Sequence, residues 1–163
     1  MAERAPNEPI APGISSASRP ADSRVSDSYR FVRRVEVRFR DIDVLGHVNH
    51  VVYLSFVEQV RTEYFYEILG IRVPSGNPTA FVIATVNCEY LQPLGWGEQV
   101  DVGWRFTRLG RSSADYIFEL TRGQEVVARG NGVMVNADPV AGRSAPIPDA
   151  WREALSRFEG IAP

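Results

Sequence analysis

The sequence predicts an α+β fold in which a five-stranded antiparallel sheet packs against one long helix. Residues 51–69 carry apolar side chains at helical spacing over much of the circumference, so a largely buried helix is expected there. Five other segments show two-residue alternation or short apolar runs that end at glycine or proline, as strands joined by tight turns do. The order of one strand, one helix and four strands is typical of an α+β domain.

The N-terminal part of the chain is expected to form a disordered tail over residues 1–28, with the folded domain over residues 29–160. The tail contains four prolines and a serine-rich stretch, and it lacks the apolar region of a signal peptide. The domain should begin with a half-buried strand, because alternate residues from Phe31 to Phe39 fall on one side of an extended segment.

The remaining elements follow from periodicity and turn residues. In the predicted helix, Tyr53, Val57 and Val60 belong to one stripe, and Gly70 is well placed to end it. A loop rich in proline and glycine should follow at 72–79. Four strand-like runs come next, at residues 81–91, 98–107, 112–121 and 125–136. Residues 151–158 have the pattern of a short C-terminal helix.

Composition narrows the class of function. The formal net charge of -2 and the pI of about 5.7 do not fit a nucleic-acid binder, which usually has a strongly basic face. No apolar run approaches the roughly 20 residues that span a bilayer, so no membrane partner is expected. The single cysteine, Cys88, excludes an intrachain disulfide, favours a cytoplasmic location and is expected to be a packed thiol.

Chemically versatile residues are concentrated in the loop that opens the helix. The chain has only two histidines, His47 and His50, and both follow Asp43 within seven residues. The first turn of a helix has unpaired N–H groups and a partial positive charge, which can hold a developing oxyanion. A carboxylate beside them can act as base or nucleophile, and an imidazole can relay protons. In the same loop, Asp41 is expected to be structural and Asn49 to serve as a turn or cap residue.

This loop resembles the signature of a known enzyme family. Residues 41–53, DIDVLGHVNHVVY, closely resemble the signature of hotdog-fold thioesterases of the 4-hydroxybenzoyl-CoA thioesterase type. Glu58 and Arg61 match the Glu and Arg that the signature places further along the helix, and the resemblance covers roughly residues 30–158. It implies a hotdog fold, in which the five-stranded sheet wraps around one long central helix, and hydrolysis of an acyl-CoA to a free acid and CoA.

The resemblance also implies a role for each catalytic candidate. Asp43 matches the family's catalytic Asp, which acts as general base or nucleophile. His50 stands where one branch has a catalytic His and where the aromatic-substrate branch uses the backbone N–H to polarise the carbonyl. His47 matches the catalytic His of plant acyl-carrier-protein thioesterases, although this chain has a leucine where those enzymes need an asparagine. Glu58 lies nearer the helix start than the mid-helix Glu of other branches, and could instead simply pair with Arg61.

The substrate-binding candidates lie in two places. The hairpin at 108–113 sets two arginines and two serines around a glycine turn, which suits phosphate contact, and in the family this region often meets the CoA nucleotide at a subunit boundary. The acyl group is expected along the helix. The full set is Asn49, Tyr53, Val57, Arg108, Arg111, Ser112 and Ser113. A core role for Tyr53 and a solvated hairpin remain the structural alternatives.

The sequence and the resemblance also suggest how the chain assembles and what it binds. An exposed sheet edge needs covering, and the family pairs two subunits into a continuous sheet, so a homodimer or homotetramer is expected. Neither a metal nor another cofactor is expected. The substrate is an acyl-CoA or, alternatively, an acyl or polyketide-like group bound to a carrier protein in a biosynthetic pathway. A non-catalytic acyl-binding hotdog module is the remaining alternative.

Overall fold

The computed structural model describes residues 19–71 and 80–162, so the first 18 residues of the predicted tail and the predicted 72–79 loop lie outside it. The elements are β1 (Phe31–Glu36), a 3₁₀ turn (Phe39–Asp41), α1 (His50–Leu69), β2 (Ala80–Tyr90), β3 (Gln99–Leu109), β4 (Ser113–Arg122), β5 (Glu125–Asp138), β6 (Arg143–Ser144) and α2 (Asp149–Glu159). In this part of the chain, no helix has the length and apolar character needed to cross a membrane.

All strands of the described residues belong to one antiparallel sheet, in the order β1-β3-β4-β5-β2, with β6 pairing with β5. The predicted α+β class, the antiparallel hairpins and the short C-terminal helix are confirmed. The prediction of five strands is one too few, because this sheet has six, and of the two helices that accompany it the second is the predicted short C-terminal one. The additional strand, β6, is only two residues long, which is too short for any periodicity to reveal.

Helix α1 supplies one side of the core. It ends as predicted at Gly70, whose φ of 67° is left-handed and therefore suits glycine. The buried face of the helix packs mainly on β1 and β3 and against α2. At the centre, the Tyr64 ring lies edge-on to Trp104, with 4.7 Å between centroids, and both side chains are fully buried. This packing fixes the helix relative to the sheet and so determines where its N-terminus emerges.

The first strand is shorter than the alternation predicted. β1 ends at Glu36, and Phe39, which the pattern places on the buried side, is 75% exposed. The chain turns away because the Asp41 carboxylate accepts the N–H of Arg38 at 2.8 Å and closes the 3₁₀ turn. A turn of this kind interrupts the two-residue period, so the alternation beyond Val37 has no structural meaning.

Part of the segment at residues 19–28, which belongs to the predicted tail, packs on the sheet together with Tyr29. Val25 and Tyr29 are buried against the outer face of the sheet, where Gly103 leaves room for them. A Cβ atom at Gly103 would lie 2.6 Å from a Val25 methyl carbon. The Arg19 guanidinium donates to the backbone carbonyl of Tyr29 at 3.2 Å and so secures the segment.

The C-terminal helix is anchored by a buried carboxyl group. The Oε1 atom of Glu159 accepts a hydrogen bond from the Tyr64 hydroxyl at 2.6 Å and from the Phe106 N–H at 3.2 Å. The Arg105 guanidinium lies 3.4 Å from the other carboxyl oxygen. Burial raises the pKa of Glu159 to about 7, although these partners oppose the shift. The carboxyl therefore holds its proton in the folded protein at a pH where it loses it in the unfolded chain.

This raised pKa makes stability depend on pH. Between pH 4.5 and about 7 the unfolded chain binds fewer protons at Glu159 than the folded chain, so the free energy of unfolding should fall as pH rises. We expect Glu159 to contribute a fall of roughly 3 kcal/mol over this range and Glu159→Gln to lack it. Urea unfolding at a series of pH values measures the difference.

The exposed Glu153 on the same helix provides the control, because Glu153→Gln should retain the wild-type pH profile. Parallel profiles for the wild type and Glu159→Gln would contradict the assignment.

Candidate active site

The loop at residues 41–49 is a tight turn held by backbone hydrogen bonds. Ile42 and Val48 form an antiparallel bridge, and the Asp43 N–H donates to the His47 carbonyl at 2.8 Å. The Asp41 carbonyl accepts the N–H of Asn49, in addition to the bond that its carboxylate makes in the 3₁₀ turn. Asp41 therefore has the structural role expected of it. The loop brings the backbones of Asp43 and His47 together directly before the helix.

The Asp43 side chain is half-buried and only partly satisfied. Its Oδ1 atom accepts the N–H of Leu45 at 2.8 Å, which orients the carboxylate. Among the described residues, none donates a hydrogen bond to Oδ2. His47, whose carbonyl faces Asp43 across the turn, is exposed. One carboxylate oxygen is thus fixed while the other is free to act on a substrate or a water molecule.

At the start of α1, two of the backbone N–H groups that lack intrahelical partners have other acceptors, and a third has none among the described residues. The Asn49 side chain accepts the N–H of Val51 at 3.0 Å, and the Asn49 carbonyl accepts the N–H of Val52 at 2.9 Å. Asn49 is therefore the N-cap, as predicted. No acceptor for the His50 N–H is present in the described part of the chain. This donor lies at the positive end of the helix, where an oxyanion would be stabilised.

An open cleft of about 260 Å³ adjoins this helix start. His50 and Tyr53 line one side, and the residues from Tyr90 to Pro93 line the other. The Tyr53 hydroxyl donates to the Gln92 carbonyl at 3.1 Å, and its ring lies edge-on to Tyr90 with 5.3 Å between centroids. Burial raises the pKa of Tyr53, and it raises that of Tyr90 to about 12, so both hydroxyls stay protonated at neutral pH.

Most of the residues that line this cleft were not predicted as site residues, and Tyr90 and Gln92 are the two that contact the predicted ones. Tyr90 also lies edge-on to His50, with 6.1 Å between ring centroids, and Gln92 supplies the carbonyl that anchors Tyr53. The antiparallel register places Tyr90 opposite Ala128 on the inner face of the sheet. Register of this kind indicates which face a residue occupies, but no local signal shows that the end of β2 meets the start of α1.

The other catalytic candidate of the helix lies apart from the cleft. The Glu58 side chain is 68% exposed, and its Oε1 atom is 2.9 Å from the Arg61 guanidinium. Eight residues separate it from His50, which corresponds to about 12 Å along the axis. The structural alternative, simple pairing with Arg61, is thus present. Val57, expected near the acyl group, is buried in the core.

The hairpin at 108–113 has much of its polar capacity already in use. Arg108 makes two hydrogen bonds to the Asp115 carboxylate, at 2.7 and 3.1 Å. The carbonyls of Ser112 and Ser113 accept N–H groups of β5 and of the turn glycine respectively. The Arg111 side chain is exposed. Arg111 is therefore better available than Arg108 for contact with an anionic ligand.

Within one chain, this hairpin is far from the helix start. The 41–49 loop follows β1, which pairs with the beginning of β3, whereas the hairpin lies at the end of β3. The 11 residues of β3 extend about 35 Å. The structure therefore brings together Asp43, His47, Asn49, His50 and Tyr53, and it leaves the arginine hairpin at the opposite end of the sheet.

Two further chemistries have little support in the described residues. No group of three or more His, Cys, Asp and Glu side chains there could hold a metal ion. Cys88 is half-buried on β2, and burial raises the pKa of its thiol. A raised pKa lowers the thiolate fraction, so Cys88 is a poor nucleophile.

The fold and the loop identify the class of protein. Residues 37–155 match the model of the thioesterase-like superfamily, and the chain belongs to that superfamily. The prediction of a thioester hydrolase is thereby confirmed, as is the hotdog-type α+β fold in its antiparallel sheet and helix.

Individual proteins agree with this placement. A thioesterase from Thermus thermophilus, solved with coenzyme A and Zn, is 38% identical with a TM-score of 0.72, over 84% of this chain and 99% of that one. A thioesterase-superfamily protein from Jannaschia sp. CCS1 is 26% identical with a TM-score of 0.74, over 83% and 87% of the two chains. The uncharacterized protein YsmA of Bacillus subtilis (strain 168) is 28% identical over 78% of this chain and 86% of its own length.

The dual position of Asn49, as helix cap and beside the cleft, generates a prediction. Asn49→Ala removes the acceptor for the Val51 N–H and should lower the free energy of unfolding by about 1 kcal/mol. Asn49→Asp retains an acceptor oxygen and should keep the stability. Urea unfolding of both variants measures the cap, and full stability of Asn49→Ala would contradict it.

Proposed function

We propose that the protein hydrolyses an acyl-CoA to a free acid and CoA, with Asp43 as general base or nucleophile. The observation that carries this proposal is the pairing of two unused groups in one loop–helix junction. The Oδ2 atom of Asp43 and the backbone N–H of His50 both lack a partner among the described residues. A carboxylate that can act on a carbonyl and a donor that can hold its oxygen are what acyl transfer requires.

The chemical steps follow from these two groups. The substrate carbonyl oxygen accepts the His50 N–H, and Asp43 takes a proton from a water molecule as that water attacks the thioester carbon. The tetrahedral intermediate carries its negative charge on the oxygen at the helix start. It collapses by breaking the C–S bond, and the departing CoA thiolate takes the proton from Asp43. In the nucleophilic variant, Asp43 Oδ2 attacks the thioester carbon and the C–S bond breaks, so that an acyl anhydride forms and CoA leaves as the thiolate. Water then hydrolyses the anhydride to the free acid and the Asp43 carboxylate, and the proton that this releases passes to the thiolate.

Side chains around the junction assist in this proposal. His50 lines the cleft, and its imidazole can relay the proton to the departing thiolate. The exposed His47, across the turn from Asp43, can tune that carboxylate. Tyr53 and Tyr90 give the cleft an aromatic lining, which suits the aromatic acyl group of a 4-hydroxybenzoyl-CoA type enzyme or an extended apolar one.

The proposal includes a second copy of the chain along β2. This 11-residue strand is at the edge of the sheet, and its inner face exposes Ile83, Val86 and Tyr90 by 39–46%. Helix α1 packs mainly on β1 and β3, which lie toward the opposite edge of the sheet. A long apolar edge of this kind favours pairing with another strand. We therefore infer a homodimer, two of which could associate as a homotetramer.

Antiparallel pairing of two β2 strands would also complete the substrate site. It would set the Ala80 end of one strand beside the Tyr90 end of the other. The hairpin at 108–113 lies at the Ala80 end, because Ser113 pairs with Val135 close to the residue that pairs with Ala80. The hairpin of the second copy would then approach the cleft, where Arg111 could contact CoA phosphates. The similar thioesterase that was solved with coenzyme A supports a CoA substrate.

Thiol release from short, long and aromatic acyl-CoAs tests the central role of Asp43. Loss of a general base typically costs 10²- to 10⁴-fold, so we expect kcat of Asp43→Asn to fall by about that factor on the substrate that the wild type uses best. Glu58→Gln is the comparison, because the Glu58 side chain is turned outward to Arg61. A larger loss in Glu58→Gln than in Asp43→Asn would contradict the proposed chemistry.

Matched phosphopantetheine thioesters on a carrier protein belong in the same panel. Faster turnover of these than of the acyl-CoAs would identify a carrier-bound substrate. Tight acyl-CoA binding by the folded protein without thiol release would identify a non-catalytic acyl-binding module.

A further inference from the structure

The wall of the cleft opposite α1 is an irregular segment, residues 91–98, between β2 and β3. Two of its carbonyls hold the candidate active site. The Gln92 carbonyl accepts the Tyr53 hydroxyl at 3.1 Å, and the Leu94 carbonyl accepts the Val48 N–H at 2.8 Å. Val48 directly precedes the helix cap and His50. The position of this segment therefore sets the position of the helix start relative to the cleft.

An ion pair outside the cleft holds this segment. The Nη1 atom of Arg122, at the end of β4, donates to the Pro93 carbonyl at 3.2 Å and to both carboxylate oxygens of Glu98, at 3.0 and 3.1 Å. The Oε2 atom of Glu98 in turn accepts the N–H of Gly95 at 2.7 Å. Arg122 also pairs with Glu125 on β5. The guanidinium thus ties the irregular segment to the regular sheet.

We propose that Arg122 and Glu98 are positioning residues for thioester hydrolysis. They act through the 91–98 segment, whose carbonyls orient Tyr53 and the loop that presents Asp43 and the His50 N–H. The inference rests on the proposed function for the reaction concerned. The link from Arg122 to the loop is continuous: Arg122 donates to the Pro93 carbonyl, and the neighbouring Leu94 carbonyl accepts the Val48 N–H.

The role differs from that of an ordinary stabilising ion pair. The Arg122 and Glu98 side chains are each 33% exposed, and ion pairs with this degree of solvent contact contribute little to stability. Without Arg122, the Pro93 carbonyl and the Glu98 carboxylate would turn toward water. The 91–98 segment would then move a small distance relative to the sheet. Displacements of about 1 Å at a distance from the chemistry can cost 10²-fold in rate.

Arg122→Gln and Arg129→Gln form a matched pair of variants. Arg129 makes an ion pair of similar length, 2.8 Å to Glu89, with both side chains about 60% exposed and no hydrogen bond to the 91–98 segment. We expect kcat of Arg122→Gln to fall roughly 10- to 100-fold, with KM changed much less, while Arg129→Gln keeps the wild-type kcat. Both variants should unfold within a few degrees of the wild type. Arg122→Lys, which restores the charge but not the fork, should recover part of the rate.

Amide hydrogen exchange supplies a readout that does not need turnover. In Arg122→Gln, the amides of Val48 and Gly95 should lose protection, whereas Arg129→Gln should leave them protected. If the wild type hydrolyses no thioester, the proposed function fails, and exchange at Val48 still decides whether the pair holds the loop. If the wild type is active and Arg122→Gln has the same kcat, the positioning role is overturned, whether or not exchange is faster.

Discussion

The candidate site depends on the orphan backbone donors at the start of a buried helix. A helix leaves its first N–H groups without intrahelical partners, and each must find an acceptor or remain available to a ligand. Here the Asn49 cap satisfies two of them and leaves the His50 N–H open among the described residues. The core fixes α1 through contacts such as that of Tyr64 with Trp104, so the open donor has a defined place beside the cleft. The turn that contains Asp43 directly precedes this helix start, so Asp43 also lies near the open donor.

Asymmetric coverage of the sheet connects the fold to the proposed assembly. Helix α1 and the segment at 19–28 cover opposite faces of the sheet in its β1 and β3 region. The inner face of β2 is covered less completely: Phe81 packs on α1 near one end and Tyr90 lines the cleft at the other, while Ile83 and Val86 between them are exposed. A second copy along β2 would cover this apolar surface and bring in the arginine hairpin. The exposed β2 edge thus accounts for the proposed dimer. Pairing along this edge would also bring together the two parts of the substrate site, which are far apart in one chain.

The sequence was sufficient to predict the long regular elements and the position of the loop. The helix, its end at Gly70 and the cap at Asn49 follow from periodicity and local hydrogen bonding, which act over a few residues. Phe39 was misplaced because a side-chain bond to Asp41 turns the chain within an otherwise alternating pattern.

Other features depend on contacts between residues that are distant in sequence. Packing of Val25 on Gly103 and the meeting of Tyr90 with His50 arise only when the sheet has formed. The contacts of Arg122 with the 91–98 segment have the same origin, since Arg122 is 29 positions from Pro93 and 24 positions from Glu98 in the sequence. The catalytic roles of Asp43 and His50 remain predictions, supported by the unused hydrogen-bonding capacity of both groups.

A crystal structure with a non-hydrolysable acyl-CoA analogue, in which a methylene group separates the carbonyl from sulfur, tests the central claim most directly. We expect the analogue's carbonyl oxygen to lie about 3 Å from the His50 backbone nitrogen, with Asp43 Oδ2 facing the carbonyl carbon. We also expect the CoA phosphates to contact the hairpin of a second copy paired along β2. A carbonyl bound away from the start of α1, for example beside Glu58, would contradict the account.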